Sequence, residues 1–481
     1  MHFSIPETEE LGDSRAKAYT GYSLHINGVY HCLVRYRQLH SLHEQLKREF
    51  HANTLPVFPP KKLFNLTEKE VEDRRLCLEK YLQVISQDPR ISNSQTFNTF
   101  LLAAQRETRR ERTENISLEV FLMNEHKVTV SVTTTEQTDV VLDQVCAQLN
   151  VPEDFVSCFS LFLIRRDEDG DITVLRKLQE FESPYISQKA LSSVSPENQS
   201  GIKIVLRKSS WDSSVDDGLL AEQTTMNLLY IQTVADIERD WIVTSAETKQ
   251  QLALMQARGS KRQFMEVART LKFYGFLVFR PCTADHPEPH TRVTIAIGRS
   301  ALNMRIHSSS GEVKENNFKI TRMRCWRIMR GESSSSSSGN QVGLLQTEGS
   351  QLELSFEYLV TPETLEWVTV VSHQAILMSM CLQSMVEELV RIRTGEKDPS
   401  RITRCSFKKG NSRSRTQLDQ SPEAEDGCGG PVDYTVRKLA ERFSVVNMKS
   451  TSKAAEEVFV ENEVFNCSAE GDEMLEANNE N

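Results

Sequence analysis

Apolar residues in this 481-residue chain recur at every second position in some stretches and at every third or fourth in others, and the order in which the two periods alternate limits the fold more than any composition figure. Residues 18–34 alternate around Asn27-Gly28, the short-range signature of a β-hairpin with a tight turn. Helical spacing follows twice, through Leu39, Leu42, Leu46 and Phe50 and then through Leu78, Leu82 and Ile85. Between them a proline-stiffened loop, residues 55–66, displays Phe64 and Leu66. After a charged junction from Arg106 to Glu114, alternation restarts at Ile116, breaks at Asn124-Glu-His126 and resumes to Val132. Thr138 is placed to cap a helix carrying Val141, Val145 and Leu149, and strands are expected at 159–165 and 202–207. Residues 226–275 turn helical, with Thr244-Ser-Ala-Glu247 spelling a capping box. Strands return at 293–297, 302–306, 318–320, 352–358 and 365–371, interrupted by a serine run at 333–338 that reads as a loop, and a long apolar helix over 374–393 closes the series.

This succession predicts an α+β multidomain chain, and the length allows three or four units. The first runs over residues 1–108. Residues 115–207 pattern as a ubiquitin-like lobe, 222–280 as a helical lobe, and 281–395 as a pleckstrin-homology-like barrel capped by one helix. Beyond 396 the chain is polar and is expected to be disordered to residue 481, with short apolar insertions at 432–446 and 458–475 and an acidic end.

Several function classes fall away. No run of about 18 apolar residues occurs, and the start lacks the basic and apolar regions of a signal peptide, so a cytoplasmic chain is expected. Ten cysteines are scattered singly without a CxxC pair, which gives no zinc spacing and fits a reducing compartment. The common hydrolase, nucleotide-binding and zincin signatures are missing, so neither an enzyme nor a cofactor is expected. Asp285, His286 and His290 lie on a proline-rich loop and read as a chance surface cluster, not a metal site. Residues 391–415 are basic but bring no groove-reading element, which leaves a solvated segment or an aid to attachment on an anionic membrane ahead of nucleic-acid binding.

Against a net charge of −10, three short cationic pieces near the N-terminus stand out: Arg35-Tyr36-Arg37, Lys61 after Phe58-Pro-Pro, and Arg74. A multiply charged phosphate needs several fixed N–H donors, which arginine forks supply, and a flat ring covers an apolar sugar-like face. These residues serve one phosphate ligand if the fold brings them together; taken separately they are solvated surface. Arg-Tyr ahead of a helix, Phe-Pro-Pro-Lys in a loop, and Arg-Arg opening Arg-Arg-x-x-Leu-Glu-Lys-Tyr-Leu resemble the phox-homology (PX) domain, which binds phosphoinositides. The resemblance implies that Arg35 holds a 3-phosphate, Tyr36 stacks on the inositol, Lys61 takes the 1-phosphate and Arg74 reaches the 4- and 5-hydroxyls. Arg37 is a helper in that scheme, phosphatidylinositol 3-phosphate is the ligand, and Leu63, Phe64 and Leu66 enter the bilayer interface.

A PX domain followed by ubiquitin-like, helical and pleckstrin-like lobes resembles the PX-FERM sorting nexins. The family implies an adaptor on early endosome membranes that binds NPxY or NxxY tails of lipoprotein receptors, integrins and amyloid precursor protein, directing them to recycling. A pleckstrin-like lobe takes a peptide as an added strand beside its last helix. The expected partner strand is Thr321–Arg327, with Trp326, Val386 and Val390 lining the groove. The family also implies docking of the retriever complex on a C-terminal leucine. Gly471-Asp-Glu-Met-Leu475 resembles that end, but Glu476–Asn481 follow, so Leu475 is not terminal.

Overall fold

Asn27 and Gly28 both adopt positive φ, 51° and 80°, as a two-residue hairpin turn requires. That turn joins the longest strands of the N-terminal sheet in the computed structural model, which describes residues 1–12, 19–50, 54–62, 66–167, 170–194, 201–307, 312–330, 352–361, 363–394 and 458–461. The first unit comprises β1 (Phe3–Ser4), β2 (Thr8–Leu11), β3 (Tyr19–Ile26), β4 (Val29–Arg35), α1 (Tyr36–Phe50), α2 (Glu68–Gln87), α3 (Pro89–Ser92) and α4 (Gln95–Arg109). Strands β1, β2 and β4 all pair with β3. Leu39, Leu42 and Leu46 of α1 and Leu78, Leu82 and Ile85 of α2 bury in one core with Leu24 and Val34. Thr67 and Glu70 form a reciprocal capping box that starts α2. Helix α4 corrects the expected junction: it runs into the charged residues as far as Arg109, because Phe97, Leu101 and Ala104 bury one face while the charges occupy the other.

The second lobe contains β5 (Asn115–Phe121), β6 (Lys127–Thr133), α5 (Thr138–Gln148), β7 (Phe159–Arg166), β8 (Ile172–Lys177), α6 (Pro184–Val194) and β9 (Ile202–Lys208), in the sheet order β6-β5-β9-β7-β8 with β5 and β9 parallel. Strand β8 and helix α6 were not anticipated. Thr138 is not the cap: Gln137 holds that position without a side-chain bond, and the Thr138 hydroxyl donates to the Glu182 carbonyl at 2.7 Å.

A buried polar junction joins these two parts. Gln105 of α4 donates to Ser187 of α6 at 3.0 Å and accepts from the Ser183 N–H at 2.9 Å. Arg176 makes a bidentate pair with Glu182, at 2.6 and 2.7 Å, and the Ser187 hydroxyl donates to the same carboxylate. Phe181 completes the first unit's core, edge-on to His31 at 5.4 Å.

The helical lobe follows, with α7 (Val215–Ala221), α8 (Gln223–Glu238), α9 (Ala246–Ala257) and α10 (Lys261–Ala268). The cap of α9 falls one residue later than expected: Ser245 accepts from the Thr248 N–H at 3.2 Å, which places Glu247 outside a capping box. The last lobe holds β10 (Leu277–Val278), β11 (Cys282–Ala284), β12 (Thr291–Gly298), β13 (Ala301–His307), β14 (Val313–Lys319), β15 (Met323–Arg330), β16 (Leu352–Thr361), β17 (Thr364–Val371), α11 (Ala375–Thr394) and β18 (Val458–Glu461). The sheet order is β14-β13-β12-β11-β17-β16-β15-β18, with β10 on β12. Helix α11 closes the barrel and ties the lobes together. Its Glu388 accepts from the Trp211 and Asp212 N–H groups at 2.9 and 2.8 Å, Gln374 just before it donates to the Val174 carbonyl at 2.9 Å, and the Gly28 turn of the first unit lies against Ile376. Residues 458–461 lie within the tail expected to be disordered, and for them that expectation is corrected; the rest of 396–481 lies outside the described residues.

Candidate functional site

Two of the cationic pieces meet at Tyr36, which follows Arg35 in the chain and carries Arg74 over its ring. Arg35 ends β4 on the surface, with its guanidinium 3.4 Å from the centroid of the Tyr19 ring. Gln38 accepts from the Arg35 backbone N–H at 2.7 Å and donates to Glu107 of α4 at 2.7 Å, which fixes where the strand passes into α1. Tyr36, the first residue of α1, is half-buried, and its hydroxyl donates to the Pro59 carbonyl at 2.7 Å. Arg74 reaches back from α2, with its guanidinium 4.3 Å from the Tyr36 centroid and a donor 3.4 Å from the Pro60 carbonyl. Burial pushes the Tyr36 hydroxyl up while the neighbouring Arg74 charge pulls it down, leaving it above the ordinary tyrosine value. Phe58 supports the arrangement, 5.7 Å from Tyr36 and stacked on His43 at 4.8 Å.

Of the arginine pair opening α2, the two members have different work. Arg75 is committed to structure: it pairs with Glu72 at 2.6 Å and donates to the Ile5 carbonyl. Arg74 is turned instead toward Tyr36 and the Pro60 carbonyl. Arg37 and Lys61 are exposed, and Lys62 pairs with Glu70 at 2.5 Å, a contact that together with Thr67 holds the Glu70 carboxyl down at about 2. Leu63 and Phe64 lie outside the described residues, and Leu66 is half-buried. Tyr19 and Gln38 were missed by sequence reasoning, since nothing in their local periodicity marks them, and Phe58 was noted only as part of the Phe-Pro-Pro-Lys motif.

The second candidate region is the outer edge of β15. Along that strand the alternation sends Trp326 and Ile328 into the core, where the Trp326 Nε1–H donates to Ser379 of α11 at 3.0 Å. The edge is occupied by the chain itself. Strand β18 pairs antiparallel with it, Ile328 with Val458, Arg327 with Phe459, Trp326 with Val460 and Cys325 with Glu461. With that segment in place Trp326 and Val386 are buried, at 0% and 2% exposure, and Val390 is half-buried against the same cluster. The strand begins two residues later than expected, since Ile320–Arg322 form a 3-10 turn.

Sequence reasoning missed β18, although a signal was there. Val458-Phe-Val-Glu is followed by Asn462-Glu-Val-Phe465, an Asn-x-x-aromatic spacing like the NxxY motif expected of a bound tail, with phenylalanine in the tyrosine position. Leu475 lies outside the described residues. Asp285 accepts from the Thr369 N–H at 2.7 Å and His286 pairs with Asn316 at 2.8 Å; no group of three or more metal-ligating side chains occurs among the described residues.

Comparison with known proteins covers nearly the whole described chain. The PX domain matches residues 22–104, the F1 lobe of the sorting nexin 17/27/31 FERM domain 116–211, the F2 lobe of the sorting nexin 17/31 FERM domain 212–272, and the sorting nexin 17 FERM C-terminal domain 275–390. Human sorting nexin-17 is 45% identical over 95% of this chain and 97% of its own length. The chain belongs to the PX-FERM sorting nexin family. Zebrafish (Danio rerio) sorting nexin-17 is 42% identical over 94% of the chain and 95% of its own length, whereas human sorting nexin-31 is 34% identical over 81% and 86%. A PX domain and FERM lobes are adaptor modules, so the protein is not an enzyme but a phosphoinositide-binding endosomal sorting adaptor. No helix among the described residues is long and apolar enough to cross a membrane.

Proposed function

We propose that this adaptor attaches to early endosomes as a peripheral protein by binding phosphatidylinositol 3-phosphate in the Arg35–Tyr36–Arg74 pocket, and that it captures NPxY or NxxY receptor tails on the edge of β15 for recycling. The observation that carries the reading is the strand on that edge. An extended segment can lie there, and the segment that does so leads directly into Asn462-Glu-Val-Phe465. Main-chain hydrogen bonds give such a site its affinity, and side-chain pockets select the sequence. A receptor tail and residues 458–461 cannot share one edge, so cargo displaces the chain's own strand. That exchange frees the tail carrying Leu475, the segment for which docking on the retriever complex is proposed. Lipoprotein receptors, integrins and amyloid precursor protein are the receptor classes proposed as cargo.

On the lipid side, the reading is supported by two ring-held cations, Arg35 stacked on Tyr19 and Arg74 on Tyr36, which suit a flat, multiply charged headgroup, with Lys61 and Arg37 proposed on its rim and Leu63, Phe64 and Leu66 proposed to enter the bilayer. Flotation with vesicles containing phosphatidylinositol 3-phosphate, with and without a lipid-anchored NPxY peptide, tests the two halves separately. Arg35→Gln removes one charge-assisted phosphate contact, about 2–3 kcal/mol, and should abolish flotation on the lipid alone while leaving the solution affinity for the peptide unchanged. Undiminished flotation of Arg35→Gln on lipid alone removes the pocket from the account.

A further inference from the structure

A cavity of about 590 Å³ lies where the helical lobe, the barrel and α11 meet. Its apolar wall is built by Trp211, Tyr274 and, from successive turns of α11, Met385, Leu389 and Ile392. Met385 is buried, whereas Ile392, nearest the end of the helix, is 55% exposed. This face of α11 is not the one proposed for receptor tails, since Val386 and Val390 lie about 100° round the helix from it. The same cavity gathers negative charge. Asp212 accepts from the Ser214 N–H and hydroxyl, and Glu388 accepts from the Ser210 hydroxyl and the Trp211 and Asp212 N–H groups, so among the described residues both carboxylates are held by neutral donors and keep their charge. Glu266 of α10 is exposed in the same lining. The two arginines there are engaged, Arg269 with Asp217 at 2.8 Å and Arg299 with the Arg269 carbonyl at 3.1 Å. An apolar wall under surplus negative charge suits a segment that sets apolar side chains between cations.

The sequence supplies such a segment close by. Helix α11 ends at Thr394, two residues past Ile392, and the chain continues to Arg401-Ile-Thr-Arg-Cys-Ser-Phe-Lys-Lys409, which lies outside the described residues. It has four cations and no acid, with Ile402 and Phe407 set among them, the complement of the cavity in both respects. Phe407 is thirteen positions beyond Thr394, about 45 Å of extended chain, enough to turn back past the helix end. A tether this short holds the segment at roughly millimolar effective concentration. We propose that residues 401–409 dock in this cavity, with Ile402 and Phe407 on the Trp211–Leu389–Ile392 wall and the flanking cations on Asp212, Glu266 and Glu388. The basic stretch then ties the helical lobe to the barrel.

The test uses the full chain with residues 401–409 replaced by a Gly-Ser stretch of equal length, and a fluorescent synthetic peptide of residues 398–412 read by anisotropy under reducing conditions. The peptide should bind the replaced chain saturably and the unaltered chain at least about tenfold more weakly, because the chain's own segment competes. Phe407→Ala in the peptide should weaken binding about tenfold, the size of one buried aromatic side chain. In the replaced chain, Glu266→Lys should weaken it about three- to five-fold and Ile392→Ser by a similar factor. Both positions are exposed, so these variants should fold normally, and near-ultraviolet circular dichroism checks that they do. Absence of saturable binding to the replaced chain overturns the proposal, as does equal binding by a peptide of the same composition in scrambled order, or binding indifferent to both protein variants. If the replaced chain instead loses flotation on phosphatidylserine vesicles and binds no peptide, the basic stretch belongs to the membrane and the docking is refuted.

Discussion

Replacing Arg176 by methionine tests whether the ubiquitin-like lobe, on the side where it meets the PX unit, is braced by the buried pair between β8 and the loop before α6. The side chains of Arg176 and Glu182 retain only 9% and 4% of their exposure, and two hydrogen bonds of 2.6 and 2.7 Å join them. Burial alone would push the Glu182 carboxyl up, but the Arg176 charge and hydrogen bonds from Arg176, Ser187 and the Gln179 N–H outweigh it and hold the group below its ordinary value. Removing one partner of a buried pair typically costs about 3–5 kcal/mol. Ser187 and Gln179 continue to donate to Glu182, which argues for the lower end, about 3 kcal/mol. The sign of the pH dependence separates this cause from lost packing. With its folded value depressed, Glu182 contributes stability above the ordinary glutamate value, about pH 4.3, and loses it as pH falls below that. In Arg176→Met the uncompensated carboxyl is raised instead, so its folded form is favoured at low pH and weakens as pH rises. The stability difference between the two proteins should therefore be large at pH 7 and shrink toward pH 4. Urea unfolding followed by far-ultraviolet circular dichroism measures it; tryptophan emission reports the FERM side separately, since Trp211, Trp241, Trp326 and Trp367 all lie beyond the PX unit. A loss under about 1 kcal/mol at pH 7, or one unchanged at pH 4, would refute the brace.

Two further outcomes follow from the peptide edge and the tail. Val386 is buried, so an acidic residue there would disturb folding as well as binding, and the half-buried Val390 is the cleaner probe: Val390→Asp should weaken binding of an NPxY peptide by more than about tenfold with little change in melting temperature, as titration and a thermal scan will tell. At the C-terminus, removing Glu476–Asn481 makes Leu475 terminal, and backbone donors can capture a free carboxylate, so the shortened tail should bind retriever at least several-fold more tightly in a pulldown, while Leu475→Gly abolishes binding of either form.

The parts legible in the sequence are those in which one period governs a whole element. The Asn27-Gly28 hairpin, the α1 and α2 faces, the β5–β6 hairpin and the closing helix all carry uninterrupted apolar spacing, and each is found close to its expected limits. Helix α4 was hidden because its exposed face is charged, and strand β8 because its burial does not follow its polarity, with Thr173 and Arg176 buried while Ile172 and Leu175 are only half-buried. Caps were misplaced by single residues where two hydroxyl-bearing residues compete, Thr244 against Ser245, because the choice depends on where the backbone turns. The proposed lipid site was named from Arg35, Tyr36 and Arg74 by residue type and order, whereas the contacts these residues make with Tyr19, Gln38 and Phe58 come from chain crossings no local pattern records. Strand β18 was hidden for a different reason. Four residues in a polar tail make a strand only when an edge is offered, and that edge belongs to residues more than a hundred positions earlier.

The most direct test of the account is the affinity of an NPxY peptide for the intact chain and for the same chain lacking residues 458–461, measured by calorimetry at equal protein concentration. If the β15 edge is the receptor-tail site and the chain's own strand occupies it, the deletion should strengthen binding several-fold, and a synthetic 454–467 peptide added in trans should bring the affinity back down. Identical affinities for the two chains, with no competition from the added peptide, would mean that receptor tails bind elsewhere.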